Sequence, residues 1–521
     1  MKPDQKIERK IVIGLITSTE FIHRIQPFWD GSLLQSSMAK RLSAWCLDHF
    51  EKFQKAPGPN IEDIFFEKMK RGLPKELAEE ISEDILPDLS DEYVEDSLNI
   101  DYLIKQTQDY LQEQHLLRFG DQIRHLLEGG EINQAEELAN NYAPLIKGSG
   151  SFFLDLGSDQ ALEVVEKAFE ESYQPVIRYP KQLGDFWNHQ LVKGGFIALM
   201  ASEKRGKSYW LLDMAIRATR QGKKVAFFQA GDMTERQQIR RIGIHLLKRS
   251  DREKYCGKMF EPIRDCIHNQ RDTCDREERE CDFGILADWG DKKIRDEITL
   301  EELIKRWKEH PDYRPCFNCK EYQSRPWGAV WVNQIDVGSP INGKEARQAF
   351  DRFFAQTKRR LLLSTHSNGS LSVGKMRGFL NLWEKQEDFI PDLIIVDYAD
   401  LLTTDSGGKD FRHQQNEIWK GLRALSQEKN QPLVVTVTQA DADSYDRKRL
   451  SLKNFSEDKR KYAHVTAMFG LNQDKTGREK KLGIMRINEL VIREDFFDGV
   501  RDITVLQNLS RGLPLLSSYW G

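Results

Sequence analysis

From about residue 8 to 145, apolar side chains recur at steps of three and four between charged ones. In SSMAKRLSAWCLDHFEKFQ the stripe runs through Met38, Leu42, Trp45, His49 and Phe53, the spacing of one helix face. This pattern predicts an all-helical N-terminal domain over 1–147. PGPN at 57–60 breaks its first long helix, and Gly129 and Gly130 in LLEGGEINQAEELANNY mark a later helix hairpin. The Gly- and Ser-rich IKGSGSFFLDLGS then reads as a linker within 148–184. One short helix is expected inside it, SDQALEVVEKAFEES at 158–172, capped by Ser158 or Asp159 and carrying Leu162, Val165 and Phe169 on one face. A helix of that length does not stand alone in water, so it should dock.

Past residue 185 the texture changes. GGFIALM, KKVAFFQAG, PDLIIVDYADLL and QPLVVTVTQ are short buried apolar runs separated by amphipathic helices, and the chain ends in further short strands. The alternation predicts an α/β domain over 185–521 built on a mostly parallel sheet. A charged, cysteine-bearing segment at 252–330 interrupts it and is read as an insertion. No internal repeat or low-complexity tract is visible.

Composition narrows the classes. The 521 residues hold 78 Lys and Arg against 82 Asp and Glu, a formal net charge of −4, with 31% charged residues overall. A histone-like polycation is excluded, and nucleic acid would have to be held locally. No run approaches the roughly 20 apolar residues of a membrane span, and the opening MKPDQKIERKIVIGLI lacks the apolar length of an export signal. The expectation is a cytoplasmic protein.

The candidate chemistry begins at Phe196–Met200. This strand runs into Ala201, Ser202, Glu203, Lys204, Arg205, Gly206, Lys207 and Ser208, and then into a helix stopped by Gly222. Strand, loop, GKS and helix are in P-loop order. Backbone N–H groups at the helix start wrap phosphates, Lys207 reaches the terminal ones, and the Ser208 hydroxyl holds Mg²⁺. The strict pattern has Gly where this chain has Ala201. Downstream, four apolar residues lead to Asp397, placed to hold the Mg²⁺ water shell. The strand KKVAFFQAG ends at Asp232, read as the group that positions water and favoured over Asp400 for that role; capping of the helix at TERQQIRR is its structural alternative. PLVVTVTQ ends at Gln439, a candidate γ-phosphate sensor.

Taken together, these residues resemble the RecA-type ATPase domain of hexameric, DnaB-family replicative helicases, especially the divergent versions carried by phages. FFQAGDMTERQQIRR, IIVDYADLL, NEIWKGLRALSQEKNQ leading into PLVVTVTQAD, and MFGLNQ followed by KLGIMRINELVIRE carry the resemblance, over about 190–255 and 330–510. It implies an ATP- and Mg²⁺-dependent DNA helicase forming a ring, expected to be six-fold, with an N-terminal collar, a linker helix docked on the neighbouring subunit, and a trans-acting Arg493. It also implies primase or loader partners and a bacterial cell, with a phage or mobile-element origin. Two loops would line the channel for single-stranded DNA, TTDSGGKDFRHQQ and DADSYDRKRLSLKNFSEDKRKYA, offering Lys409, Arg412, Arg447, Lys448, Arg449, Lys453, Lys459, Arg460 and Lys461 to phosphates. Glu494 and Asp495 stand where a second basic finger is usual. With Ala201 and Asp232, they keep a second reading open: a nucleotide-gated DNA-binding or scaffold ring that recruits partners without unwinding.

The insertion raises separate chemistry. Cys266 and Cys274 are followed by Cys316 and Cys319 in CFNC, two pairs that suit tetrahedral Zn²⁺, with Cys256 and Cys281 as further donors. A small charged segment with little core of its own would be helped to fold by such a metal.

Overall fold

The structure, a computed structural model, describes residues 3–70, 99–140, 174–358, 360–405, 411–441, 448–454, 459–493 and 495–521, with single positions between them. The chain forms two compact units, Met1–Glu163 and Val164–Gly521.

The described elements of the first unit are helical. Helices Pro3–Thr17 and Ser37–Phe53 pack with the long helix Ile100–Glu128 around Ile11, Leu15, Phe21, Leu42, Trp45, Cys46 and Leu111. In Ser37–Phe53 the buried stripe ends at Phe50, while Phe53 in the last turn is exposed. The helix stops one residue later at Gln54, in left-handed backbone, so the expected stripe outruns the packed part of the helix. Burial of Glu8 is offset by hydrogen bonds: its carboxylate accepts from the Tyr110 hydroxyl (2.6 Å) and the Ser36 amide (2.9 Å). Gly129 and Gly130 end the long helix before Ile132–Asn140, giving the expected hairpin. Of the expected helix 158–172, Leu162, Val165, Glu166 and Phe169 are described; they are helical and their side chains are exposed.

The second unit is built on a nine-stranded sheet and a separate two-stranded ribbon. In chain order the strands are β1 (Phe196–Ala201), β2 (Val225–Gly231), β3 (Lys258–Cys266), β4 (Gly328–Asp336), β5 (Leu361–Ser367) and β6 (Leu393–Asp397). They continue with β7 (Leu433–Gln439), β8 (Ala467–Asn472), β9 (Ile484–Ile492), β10 (Asp502–Asn508) and β11 (Leu513–Trp520). The large sheet runs β11-β10-β9-β8-β1-β7-β6-β2-β5. From β8 to β5 every pairing is parallel, and from β8 to β11 every pairing is antiparallel. Strands β1 and β6 are buried along their whole length, which is why their sequences are unbroken apolar runs. Helix Lys207–Arg220 covers one face of this sheet and Phe411–Gln427 the other, through Trp210 and Trp419.

Strands β3 and β4 form the antiparallel ribbon that carries the insertion. Contrary to the sequence expectation, this segment has a core. Ile267, Leu286, Ile294, Leu303, Tyr322 and Trp331 pack in one cluster with Ile484, Leu506 and Tyr519 of the large sheet. The approach is close: a Cβ on Gly328 would lie 2.0 Å from the Tyr519 ring.

Candidate nucleotide site

The first functional element is a tight turn between β1 and helix Lys207–Arg220. Gly206 caps the helix with φ +85°, and a Cβ there would lie 2.9 Å from Leu509 Cδ1, so both backbone and space call for glycine. The helix therefore starts at Lys207; the Tyr209 amide turns back onto Gly206 O (3.0 Å), and the Lys207 and Ser208 amides ahead of it have no helical carbonyl to pair with. Lys207 Nζ donates to the Ala201 (2.8 Å) and Ser202 (3.3 Å) carbonyls. Its burial lowers the ammonium pKa, opposed by the nearby Asp400, Asp397, Glu203 and Asp232 carboxylates.

Asp397, at the carboxyl end of β6, is 1% exposed. The Ser208 hydroxyl donates to its Oδ1 (3.2 Å), and its Oδ2 has no hydrogen-bond partner among the described residues. Burial pushes this carboxyl up to about 6, with Ser208, Arg241 and Lys207 acting in the opposite direction. A buried carboxylate oxygen without a partner beside a serine hydroxyl is a pair of hard oxygen donors, and this set fits Mg²⁺. A cavity of about 540 Å³ joins these groups. Lys207, Ser208, Asp232, Asp397 and Gln439 all line it.

Asp232 follows β2 and is exposed to the cavity. It does not cap the next helix: Thr234 does, in a reciprocal box with Gln237. Gln439 Nε2 donates to Glu203 Oε1 (3.1 Å), bridging the end of β7 to the P-loop. Within the loop, Ser202 meets Ser444 (2.7 Å), Lys204 takes left-handed backbone, and Arg205 donates to Gln473 (3.3 Å) and Asp474 (3.2 Å) beyond β8. Arg241, Lys480 and Leu509 also line the cavity and were not singled out from the sequence. Arg241 lies on the capped helix just after β2, a readable signal, whereas Lys480 and Leu509 arrive only through the fold.

Arg493 is outside this group. It follows β9, its amide donates to Thr466 O (3.0 Å), and Thr466 in turn bonds the amide of Phe196, the first residue of β1. Arg493 therefore stands at the end of the strands opposite the turn that follows β1, with an exposed side chain bonded to the Ala463 carbonyl.

The basic loop residues separate into kinds. Arg412, Lys448 and Lys453 are exposed, Lys448 pairing with Asp296 of the insertion (3.1 Å). Arg449 is turned inward to brace the β9–β10 hairpin, donating to Val500 O (2.9 Å) and pairing with Asp502 (2.7 Å). The reading of Lys461 as a phosphate contact is corrected: it is fully buried, and its Nζ bonds Asp400 Oδ1 (2.7 Å) below the Trp419 ring. Lys409 and Arg447 lie outside the described residues, as does Glu494. Of Lys459 and Arg460 the backbone is described, in a 3-10 turn.

The expected zinc site is also corrected. Among the described residues no three His, Cys, Asp or Glu side chains converge on a point that could hold a metal ion. Cys266 and Cys281 belong to the apolar cluster, and Cys316 Sγ faces the Glu278 carbonyl (3.7 Å). Burial pushes the Cys266 thiol up to about 12, which opposes thiolate formation. The residue that organises this region is Asp265, fully buried. Its carboxylate accepts from the Tyr313 hydroxyl (2.7 Å), the Cys266 and Cys316 amides (2.7 and 2.8 Å) and Asn269 Nδ2 (3.2 Å). A four-bonded carboxylate thus ties Cys266 to Cys316, the task assigned to zinc.

The mixed nine-stranded sheet, with a glycine-capped turn from β1 into helix Lys207–Arg220, is a RecA-like fold. With its helical N-terminal unit, the chain has the fold of a DnaB-like replicative helicase. A solved structure of such a helicase, described with its interactions with primase, aligns over 98% of this chain and 100% of its own, at a TM-score of 0.57 and 12% identity. A second solved structure, an isolated ATPase domain, aligns over 70% of this chain and 100% of its own, at a TM-score of 0.43 and 13% identity. No protein-family model and no curated protein matches the sequence. Among the described residues no helix is long and apolar enough to cross a membrane.

Proposed function

We propose that this chain is an ATP-driven replicative DNA helicase that assembles as a ring, six-fold as the sequence resemblance implies, and translocates on single-stranded DNA. The observation that carries the reading is Asp397, buried at the end of β6 with one oxygen bonded to Ser208 and the other without a partner among the described residues, in a cavity that also holds Lys207. Backbone amides at the start of helix Lys207–Arg220 and Lys207 would bind the phosphates, and Ser208 and Asp397 would hold Mg²⁺. The bound metal supplies charge neutralisation at the phosphates. Asp232 would position the attacking water, and Gln439, tied to Glu203, would sense the γ-phosphate.

The position of Arg493 supports a role in trans. It lies across the sheet from its own P-loop, so a site it completes belongs to another copy. The exposed Arg412, Lys448 and Lys453 are the described candidates for contacts to DNA phosphates, together with Lys409, Arg447, Lys459 and Arg460. Primase is the proposed partner, by extension from the similar helicase structure, and the cytoplasm the proposed compartment. The test is ATP hydrolysis with and without single-stranded DNA, beside Lys207→Ala. DNA-stimulated turnover abolished by Lys207→Ala, followed by strand displacement, supports a motor. ATP binding without turnover in either condition overturns it and favours the scaffold ring.

A further inference from the structure

Two surfaces of the second unit have complementary chemistry. The first is the tip of the β9–β10 hairpin, which displays apolar side chains: Phe496 is 86% and Val500 84% exposed, with Phe497 also exposed. In sequence they lie among Glu494, Asp495 and Asp498, with no basic residue between 494 and 500. The tip is held in shape. Asp498 accepts from the Val500 (2.9 Å) and Arg501 (3.1 Å) amides, Glu489 accepts from the Asp498 amide (2.8 Å), and Arg449 bonds the Val500 carbonyl. A braced loop that presents aromatic rings to water is pre-organised to bind.

The second surface is a groove of about 670 Å³ beside the nucleotide cavity. It shares Tyr209, Arg241, Lys480 and Leu509 with that cavity, and the insertion supplies an apolar wall through Tyr255, Met259 and Phe260. Its lining holds five basic side chains against one acidic, Asp251, which pairs with Arg240 and leaves Arg241, Arg252, Lys480 and Lys481 in excess. Groove and tip lie at opposite ends of β10: Gln507 and Asn508 line the groove, and the tip ends where Asp502 begins the strand. The seven residues of β10 span roughly 20 Å. The tip of one copy cannot fill its own groove.

We infer that the acidic, aromatic tip 495–500 of one copy docks into the basic, insertion-walled groove of the next. This rests on the proposed ring and deepens it. A head-to-tail contact of this kind is heterologous and closes into a ring when its rotation permits. Phe496 and Phe497 are the anchors, the acidic tip faces the exposed Arg252 and Lys480 of the groove, and Arg493, next to the tip, is carried toward the neighbour's nucleotide cavity.

The experiment places a photo-crosslinking benzoylphenylalanine at Phe496 in the full chain. Labelled and unlabelled copies are mixed with a non-hydrolysable ATP analogue, irradiated, and the joined peptides mapped by mass spectrometry. The expected result is cross-links between copies to 233–262. Cross-links within one copy only, to another surface, or none overturn the docking. In parallel, Phe496→Asp with Phe497→Asp should weaken assembly at least tenfold in sedimentation velocity, and unchanged assembly likewise overturns it. Both readouts are independent of turnover. A protein that hydrolyses ATP without this contact refutes only the docking, and one that makes the contact without hydrolysis refutes only the motor.

Discussion

Asp397 and Asp265 are two aspartates buried to the same degree, each at the carboxyl end of a strand or one residue before it, and each with its carboxyl pushed upward by burial. Asp265 has four donors on its carboxylate, whereas Asp397 has one, leaving Oδ2 without a partner among the described residues. Protein groups complete the first site; the second invites a cation. Burial alone does not tell the two carboxylates apart. The count of satisfied oxygens does.

The sharpest way to break this contrast is to remove Asp265. Asp265→Ala strands the Tyr313 hydroxyl and two amides in the interior, and should cost about 3–5 kcal/mol of stability, read as a fall in Tm and as faster amide exchange across 258–336. The same chain with Asp397→Asn should lose ATP turnover by about a hundredfold or more, roughly 3 kcal/mol in barrier, while folding normally. If Asp397→Asn unfolds and Asp265→Ala does not, the distinction fails.

A third outcome concerns pH. Between the usual aspartate value near 3.8 and about 6, the folded chain holds the Asp397 proton and the unfolded chain releases it, so this group's contribution to stability falls as pH rises through that window. The cost, roughly 3 kcal/mol, persists above pH 6. Without Mg²⁺ and nucleotide, Asp397→Asn should therefore be more stable than the parent at pH 7.5, with the gap closing toward pH 4 in parallel denaturant titrations. Mg²⁺ affinity of the parent should decline as pH falls through about 6, measured by calorimetry with nucleotide. The smallest effect is expected from a zinc chelator. Since Asp265 already ties the Cys266 and Cys316 segments together, Tm should not move, and a large drop would restore the metal reading.

The candidate nucleotide site is legible in the sequence because its signal is local. A buried strand, a loop with Gly206, Lys207 and Ser208, and an amphipathic helix are contiguous, and each element has its own hydrophobic period. Asp397 was readable for the same reason, as the first charge after four apolar residues. The insertion was misread because cysteine spacing counts donors and says nothing of where the thiols point. Its organiser, Asp265, is an ordinary acid in a charged stretch until β3 and β4 pair. Lys461 shows the same limit. In SEDKRKYA it looks like its neighbours, and only helix Phe411–Gln427 and Asp400 enclose it. Thr234 rather than Asp232 caps its helix because the capping box needs Gln237 three residues on, a pattern that could have been read in advance.

The contact of Gly328 with Tyr519 bears on how this chain can be trimmed or recombined. An appendage joined through a ribbon is often treated as a cassette, to be deleted or exchanged. Here excision of 258–336 would uncover Ile484, Leu506 and Tyr519 and turn one face of β9–β11 into an adhesive apolar surface. Shortened versions should therefore precipitate or self-associate unless those three positions are made polar at the same time.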